Sequence, residues 1–266
     1  MKRQSIRLLL IVAVAAAAGF SVPTADAALF TNDFGPLLPS YVPNDDATFP
    51  AVGLPFSINF FGTTYNSIFV NNNGNATFGA ATFSFTPSPL NTQTTQPMIA
   101  PYWTDLDSRS DPLGPIAAHT GGSAVYFRQT SPTEVVMTWD RLGYFPVNYS
   151  GRAQFQLVLR DPSSVIPAGE GVIGFFYDGV TAGTDSHSVT VGFGDGLPTI
   201  NPGEISLFSG LSPTVSGQVN DQHFWFNLTG GIPAPTPAVP EPGSIALLGT
   251  GLAALAFVGR TIKGRQ

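Results

Sequence analysis

Three closely spaced aspartates form the pattern in this chain that is most typical of a metal site. Asp105, Asp107 and Asp111 lie in the segment TDLDSRSD. Carboxylates at the first, third and seventh positions of a loop can converge on Ca²⁺, which prefers oxygen ligands. The segment lacks the glycine at the sixth position and the glutamate at the twelfth that an EF-hand requires. Arg109 lies between the aspartates, so a structural calcium site and a solvated or arginine-paired turn remain as alternatives.

The residues that usually carry catalysis do not form a recognisable set. His119, His187 and His223 are scattered and match no known metal-binding spacing. Asp185-Ser186-His187 contains the three residue types of a hydrolase triad, but sequence neighbours rarely reach triad geometry and no G-x-S-x-G turn is present. The chain has no cysteine, which excludes a thiol nucleophile and a disulfide framework. We therefore predict a protein that is not an enzyme, with no catalytic residues and no cofactor other than the candidate Ca²⁺.

The charge of the chain argues against nucleic acid as a partner. The sequence has 11 basic and 17 acidic residues, and many of the basic ones lie near the two ends. The body between the ends, residues 28–229, keeps 5 basic and 15 acidic residues and contains no lysine. A surface that neutralises phosphates needs clustered lysine and arginine. We therefore predict no nucleic-acid partner.

Residues 54–79 are the stretch around which we expect the fold to form. Apolar and polar residues alternate over its first part, as in a half-buried β-strand, and Gly62-Thr63 can reverse the chain. Asn73-Gly74 is typical of a two-residue type I′ turn, in which both residues have positive φ. That turn places Phe69 opposite Phe78. Apolar residues on both faces predict that this hairpin lies inside a sandwich or barrel rather than at its edge.

The rest of the body alternates in the same way. Residues 134–139 form a predicted strand with three residues on one face: Val135, Met137 and Trp139. The clearest period is in Gln154–Arg160, whose apolar residues are predicted to point inward and whose polar residues outward: Phe155, Leu157 and Leu159 against Gln154, Gln156 and Arg160. About nine or ten strands with turn signals between them predict an all-β fold, an antiparallel β-sandwich. No helical period of useful length occurs outside the two ends.

The N-terminal end has the features of a targeting segment. Basic residues precede the apolar run 8–18, and Ala25-Asp26-Ala27 has the small-residue pattern of a cleavage site. The apolar run is shorter than the ~20 residues needed to cross a bilayer. We therefore predict a secretory signal peptide over residues 1–27, a helix outside the domain that the Sec export machinery reads and that is cleaved after Ala27.

The C-terminal end combines a stalk with a second apolar segment. Residues 230–238 are rich in proline and alanine, which favours polyproline II geometry and predicts a semi-rigid linker. Residues 244–259 are apolar and predict a transmembrane helix, also outside the domain. Basic residues beyond this run keep the end in the cytoplasm and the body outside it: Arg260, Lys263 and Arg265.

The body resembles the NIDO domain, the extracellular domain named after nidogen. The resemblance is carried, in order, by FPAVGLPFSINFFGTTYNSIFVNNNGNATFG, IAPYWTDLDSR, AVYFRQ, VVMTWDRLGYFP, AQFQLVLRD, GVIGFFYDGV and VGFGDG. It covers residues 49–196 most clearly and implies a NIDO-like domain over residues 28–229. In that family the domain occurs in matrix and cell-surface proteins and has no established enzymatic role. The cysteine-rich modules of the animal members are missing here, so the particular partners of those proteins cannot be carried over.

Residues 239–266 resemble the PEP-CTERM sorting signal of Gram-negative bacteria. The short motif is followed by the apolar run and the basic end, and it consists of Val239, Pro240, Glu241 and Pro242. The resemblance implies recognition by an exosortase, a transient anchor in the inner membrane with the body outside the cytoplasm, and delivery to the cell surface or extracellular matrix. An ordinary C-terminal anchor is the alternative.

The sequence favours a non-enzymatic exported protein of the cell surface or exopolysaccharide matrix that displays an adhesion or interaction domain. Matrix polysaccharide and surface proteins are its candidate partners. One alternative is a glycan-binding module of the biofilm matrix, in which Tyr102, Trp103 or Tyr144 stacks on sugar rings. A second alternative is a polysaccharide-processing enzyme that depends on Asp105 or Asp107.

Overall fold

The computed structural model describes residues 29–91, 96–109 and 123–236. Within these residues the chain forms thirteen strands and one helix. The strands are β1 Val52–Phe60, β2 Thr63–Asn71, β3 Asn75–Thr77, β4 Met98–Trp103, β5 Leu106–Asp107, β6 Ala124–Ser131, β7 Glu134–Tyr144, β8 Asn148–Arg160, β9 Ile173–Tyr177, β10 Ser188–Gly194, β11 Ile205–Leu211, β12 His223–Thr229 and β13 Ile232–Pro235, and the helix is α1 Ser212–Val219.

The strands form two antiparallel sheets. One sheet has six strands in the order β1-β2-β3-β4-β10-β11, and the other has seven, in the order β13-β12-β9-β8-β7-β5 with β6 also paired to β7. The predicted all-β class is confirmed, and the arrangement is consistent with a β-sandwich. The strand number exceeds nine or ten because short strands such as β3, β5 and β13 are too brief to show an alternating pattern.

The two sheets share one aromatic core. The ring of Tyr102 in β4 lies 5.6 Å from the ring of Phe155 in β8, and Phe193 in β10 stacks on Phe175 in β9 at 5.4 Å. The inward faces predicted for β7 and β8 are confirmed, because all six residues are fully buried: Val135, Met137, Trp139, Phe155, Leu157 and Leu159. In the absence of disulfides, this packing must provide most of the stability of the body.

The hairpin turn at Asn73-Gly74 is not the predicted type I′ turn. Asn71 pairs with Asn75, so the loop has three residues, and within it only Gly74 has positive φ, at 72°. A three-residue loop that ends in a left-handed glycine is another common hairpin class. The two-residue reading fails because the Asn71 side chain bonds to Asn75 at 2.8 Å and extends the pairing to that position.

The register of this hairpin is therefore one residue away from the predicted one. Phe69 pairs with Thr77 rather than with Phe78. Phe78 stacks instead on Tyr65, with ring centroids 4.6 Å apart. The predicted Phe69–Phe78 pair is wrong, although the hairpin does lie inside its sheet, between β1 and β4.

A turn with two positive φ values occurs one hairpin earlier, between β1 and β2. Phe61 and Gly62 have φ of 47° and 82°, and Phe60 pairs with Thr63 across them. The chain thus reverses one residue before the predicted Gly62-Thr63. Phenylalanine rarely adopts this conformation. Tertiary contacts favour it here, since the Phe61 N–H donates to the carbonyl of Gly231 at 2.8 Å.

Two polar residues of β8 are buried, although their position in the pattern predicts exposure. Gln156 is fully buried and donates to the carbonyl of Thr31 at 2.8 Å, while the Thr31 N–H donates back at 3.1 Å. Arg160 pairs with Glu134 at 2.7 Å and lies over the ring of Trp225 at 4.4 Å. Both side chains point to the outer face of the sheet, as predicted. They are buried rather than exposed, because the N-terminal segment covers this face.

The sequence period predicts neither α1 nor β13. The helix carries a proline in its first turn and buries Val215 and Val219 on one side, but eight residues are too few for a clear period. The strand β13 lies within the predicted linker 230–238 and pairs with β12. The second sheet therefore extends into a segment that composition alone assigns to the stalk.

The two predicted targeting segments, residues 1–27 and 244–259, lie outside the described residues. Within the described ranges, no helix has the length and apolar character needed to cross a membrane.

Candidate functional site

An asparagine-rich turn holds together the loops that carry the acidic residues. Asn72 and Asn73 lie between β2 and β3 and are almost completely buried. The Asn72 amide donates to the backbone oxygens of Asp45 and Leu106. The Asn73 side chain donates to the Asp46 carboxylate at 3.0 Å and accepts from the Leu106 N–H at 2.9 Å. One turn thus fixes the 45–46 loop against the segment that joins β4 to β5.

Asp45, Asp46 and Asp105 form an acidic cluster at this junction. One carboxylate oxygen from each residue lies within 4.8 Å of the other two. Among the described residues, no other group of three potential metal ligands meets this spacing. Asp107 does not belong to the cluster, and Asp111 lies outside the described residues. Of the two described aspartates that the sequence singled out, the structure therefore brings Asp105, and not Asp107, into a set of converging carboxylates.

Asp107 is engaged by Arg109, as the arginine-paired alternative predicts. Arg109 donates to its carboxylate from Nε at 2.9 Å and from Nη2 at 2.6 Å, and the backbone N–H groups of Arg109 and Val147 each donate at 3.0 Å. Burial opposes ionisation of Asp107, but these hydrogen bonds and the guanidinium charge outweigh it and hold its pKa below the ordinary value. Asp107 is thus an anchor for the loop rather than an available ligand.

The acidic cluster is poorly compensated. The pKa of Asp45 is raised to about 6, chiefly by burial and then by nearby carboxylates, whereas Arg109, 3.1 Å away, lowers it. The pKa of Asp105 is also raised to about 6, chiefly by burial, and His187 opposes the shift. The Oδ1 atom of Asp45 is buried and accepts no hydrogen bond. The site therefore concentrates negative charge that its neighbours only partly balance.

His187 lies at the edge of the acidic cluster. Its Nδ1 is hydrogen-bonded to the Asp185 carboxylate, and the Ser212 hydroxyl donates to the other oxygen of that carboxylate. Its Nε2 lies 3.9 Å from Oδ2 of Asp105. A hydrolase triad requires the serine to contact the histidine. Here the Ser212 hydroxyl donates to Asp185, and its backbone N–H donates to the His187 carbonyl at 2.8 Å. Among the described hydrogen bonds, none joins the imidazole to the hydroxyl of Ser212 or of Ser186, the serine of the sequence triplet, so these residues position the imidazole without pairing it with a serine nucleophile.

The sequence interpretation missed Asp45, Asp46 and His187 as members of the site. The first two fall in a segment without a clear period, and spacing along the chain cannot show that they meet Asp105. One signal was available in NNNGN, because buried asparagine side chains need hydrogen-bond partners. Such a run indicates that a polar loop packs against the turn, but it does not identify the loop.

The aromatic residues considered for sugar stacking are core residues. Tyr102, Trp103 and Tyr144 are each no more than 2% exposed. The hydroxyl groups of Tyr102 and Tyr144 lie 3.2 Å apart, and the Trp103 indole donates to the carbonyl of Ser84 at 3.0 Å. Their polar atoms thus have partners inside the protein, and these side chains are not available to a sugar ring.

Two matches to known families divide the chain between a domain and a signal. A family described as NIDO related matches residues 24–226, which is well over half of the chain. The chain belongs to the NIDO-related family. A PEP-CTERM protein-sorting motif matches residues 238–260 and includes the predicted motif from Val239 to Pro242. Together, the NIDO-related domain and the sorting motif support an exported surface protein, and the motif implies processing by an exosortase.

Alpha-tectorin is similar to part of the NIDO-related chain. The mouse protein is 30% identical over 87 residues, and the human protein is 29% identical over 87 residues. These segments cover 32% of this chain and 4% of each tectorin, so the chain matches only a small part of the length of these curated relatives. No solved structure matches the chain.

The raised pKa values predict how the stability of the NIDO-related domain changes with pH in metal-free buffer. The folded forms of Asp45 and Asp105 bind protons up to a pKa of about 6, whereas unfolded aspartate releases them near ~3.9. The folded state thus holds more protons between these limits, and stability falls as pH rises through this window. The lowered pKa of Asp107 acts in the opposite direction, but at lower pH.

Replacing Asp105 with asparagine should therefore make the stability of the domain depend less on pH between about pH 4 and 6. It should also stabilise the domain at pH 7. Although Asp105 is mostly buried, its side chain is 12% exposed, and screening by solvent limits the gain to about 1 kcal/mol, or about 2–4 °C in the unfolding midpoint. Thermal unfolding at several pH values measures both effects. Asp221→Asn, at an exposed site, serves as a control. An equal slope in Asp105→Asn and the parent chain would contradict the assignment.

Proposed function

We propose that this chain is a non-enzymatic protein of the bacterial cell surface or exopolysaccharide matrix, where it displays its NIDO-related domain for adhesion or interaction. An exosortase recognises the motif from Val239 to Pro242 after Sec-dependent export. The apolar run 244–259 then holds the chain in the inner membrane, with the body outside the cytoplasm, until sorting is complete. Matrix polysaccharide or surface proteins are the proposed partners of the domain.

The order of the two family matches carries this proposal. The NIDO-related match ends at residue 226 and the sorting motif begins at residue 238. The second sheet closes between them, because β13 ends at Pro235. A folded domain is therefore followed almost directly by its sorting signal, which is the arrangement expected of a protein whose function lies outside the cell.

The arrangement of the polar groups supports a binding role rather than a catalytic one. Asp107 is occupied by Arg109 and by two backbone N–H groups. The Ser212 hydroxyl donates to Asp185 instead of to the His187 imidazole. Asp107 and Ser212 thus each have a positioning partner, whereas covalent hydrolysis requires a nucleophile paired with a base.

A glycan-binding domain is the second candidate, and one surface groove favours it. The groove has a volume of about 390 Å³ and is lined by Phe208, Phe224 and Trp225, all partly exposed. Aromatic faces beside polar groups suit ligands that are apolar on one side and polar on the other. Probing a glycan array with the purified chain would favour this candidate if a polysaccharide binds, and would favour protein partners if none does.

Comparing cells with and without the exosortase tests the leading proposal. With the enzyme present, the NIDO-related domain should be found mainly at the surface or in the matrix, where protease added to intact cells can reach it. Without the enzyme, the chain should remain with the inner membrane, because its apolar run and basic end are unprocessed. An equal distribution in both strains would contradict the proposal, and cytoplasmic protein in both would also exclude export.

A further inference from the structure

We propose that the acidic cluster of Asp45, Asp46 and Asp105 binds a divalent cation, and that Ca²⁺ suits it best. Three carboxylates offer only oxygen atoms, the ligand type that hard cations prefer. Oxygens that lie within 4.8 Å of one another can all reach the ~2.3–2.6 Å distance typical of Ca²⁺. This proposal goes beyond display at the cell surface and does not depend on it.

Two carboxylates of the acidic cluster lack the partners that burial demands. Asp105 is 8% exposed, its carboxylate accepts no hydrogen bond from the described residues, and Nε2 of His187, 3.9 Å away, is too far to donate one. The Oδ1 atom of Asp45 is buried and also has no hydrogen-bond partner. Buried charges in proteins are normally paired or coordinate a metal. A cation between these oxygens would satisfy both groups.

The neighbouring cation, Arg109, cannot take this role. Its Nε and Nη2 donate to the two carboxylate oxygens of Asp107, at 2.9 and 2.6 Å. Within the acidic cluster it contacts Oδ2 of Asp45 at 3.1 Å, which leaves Oδ1 of that residue unpaired. The guanidinium is therefore fixed on the Asp107 side, and the oxygens of Asp105 and Asp46 remain for another positive charge.

His187 adds an observation from outside the three carboxylates. The Asp185 carboxylate is hydrogen-bonded to Nδ1, so Nε2 is the ring nitrogen that faces Asp105. Pairing of one imidazole nitrogen with a carboxylate is the usual way in which proteins orient a histidine towards a metal or its bound water. Ser212 holds Asp185 in place from its other oxygen. The imidazole is thus oriented towards the cluster before any ion binds.

The ligand loops are also fixed in advance. Asn73 donates to the Asp46 carboxylate at 3.0 Å, which orients that side chain. Asn72 ties the backbone of Asp45 to that of Leu106, one residue after Asp105. Because these contacts exist without an ion, binding requires little reordering, and low ordering cost favours affinity.

Calorimetric titration of the full purified chain with CaCl₂, after removal of metals by a chelator, tests the proposal. One Ca²⁺ should bind per chain, and saturating Ca²⁺ should raise the thermal unfolding midpoint by about 5–10 °C. Asp46→Asn keeps the bond from Asn73 but removes one charge, and should weaken binding at least about tenfold. Asp105→Asn should weaken Ca²⁺ binding by a similar factor. It provides a second measurement if either variant folds poorly.

Asp221→Asn is the matched control, since it removes the same charge at an exposed site outside the cluster. It should leave the Ca²⁺ affinity unchanged. Loss of affinity in Asp221→Asn equal to that in Asp46→Asn would overturn the proposal, because binding would then reflect net charge alone. The absence of saturable Ca²⁺ binding would overturn it too. Binding of Zn²⁺ without binding of Ca²⁺ would exclude a hard-cation site.

Discussion

Gly74→Ala is expected to lower the free energy of unfolding by about 4 kcal/mol or more, in the upper tail for single substitutions. A Cβ atom at this position would lie 2.0 Å from the carbonyl oxygen of Tyr102 and 2.9 Å from its carbonyl carbon. Both are backbone atoms of β4 and cannot rotate away. The φ of Gly74 is also positive, at 72°, which adds strain for any residue with a side chain.

Urea unfolding of the two purified variants Gly74→Ala and Gly62→Ala separates these effects. Gly62 also has positive φ, at 82°, but a Cβ added there meets nothing within 4 Å. Gly62→Ala should therefore cost only the conformational term of about 1–2 kcal/mol. Equal losses in the two variants would show that Gly74 is needed for its φ alone and that the close approach to Tyr102 is not a constraint.

Replacement of Val239–Pro242 by four alanines should remove most of the protein from the cell surface. The sorting motif covers residues 238–260, so this change removes the short recognition sequence and keeps the apolar run 244–259. The variant is expected to accumulate with the inner membrane rather than in the cytoplasm, because export and anchoring do not use the replaced residues. Fractionation, followed by protease treatment of intact cells, measures both amounts.

Pro237→Ala is the control for this experiment, since it alters the same proline-rich stretch outside the short motif. Its surface fraction should equal that of the parent chain. If the four-alanine variant reaches the surface as well as Pro237→Ala does, the motif is not used, and the C-terminal end acts as an ordinary anchor.

Strand faces could be predicted from the sequence where a strand has one buried side. Val135, Met137 and Trp139 in β7 alternate with residues on the other face, and all three are fully buried. A period of two residues is a local property, so it can be recognised without knowledge of the partner strands. The burial of Gln156 was not predictable in this way, because it depends on a contact with Thr31, which is distant in the sequence.

Turn geometry was less predictable because tertiary contacts decide it. Asn73-Gly74 has the best local propensity for two positive φ values, yet Asn73 instead uses its side chain to bond Leu106 and Asp46. Phe61 adopts positive φ despite a poor propensity, since its N–H bonds to Gly231. A preference of about 1 kcal/mol is easily outweighed by such contacts.

The acidic cluster could be only partly predicted. The sequence singled out Asp105, which lies in the cluster, but its predicted companion Asp107 does not belong to it, and Asp111 lies outside the described residues. Asp45 and Asp46 reach Asp105 through buried amides of the turn at Asn72 and Asn73, a pairing between segments far apart in sequence. Local spacing contains no information about such contacts.

The intact mass of the chain recovered from the cell surface tests export and sorting most directly. The predicted mass corresponds to a chain that lacks residues 1–27 and has lost the C-terminal residues that follow the sorting motif. In cells without the exosortase, the chain should retain residues 244–259 and remain with the membrane. A surface-recovered chain that still carries residues 244–259 in both strains would contradict sorting through Val239–Pro242.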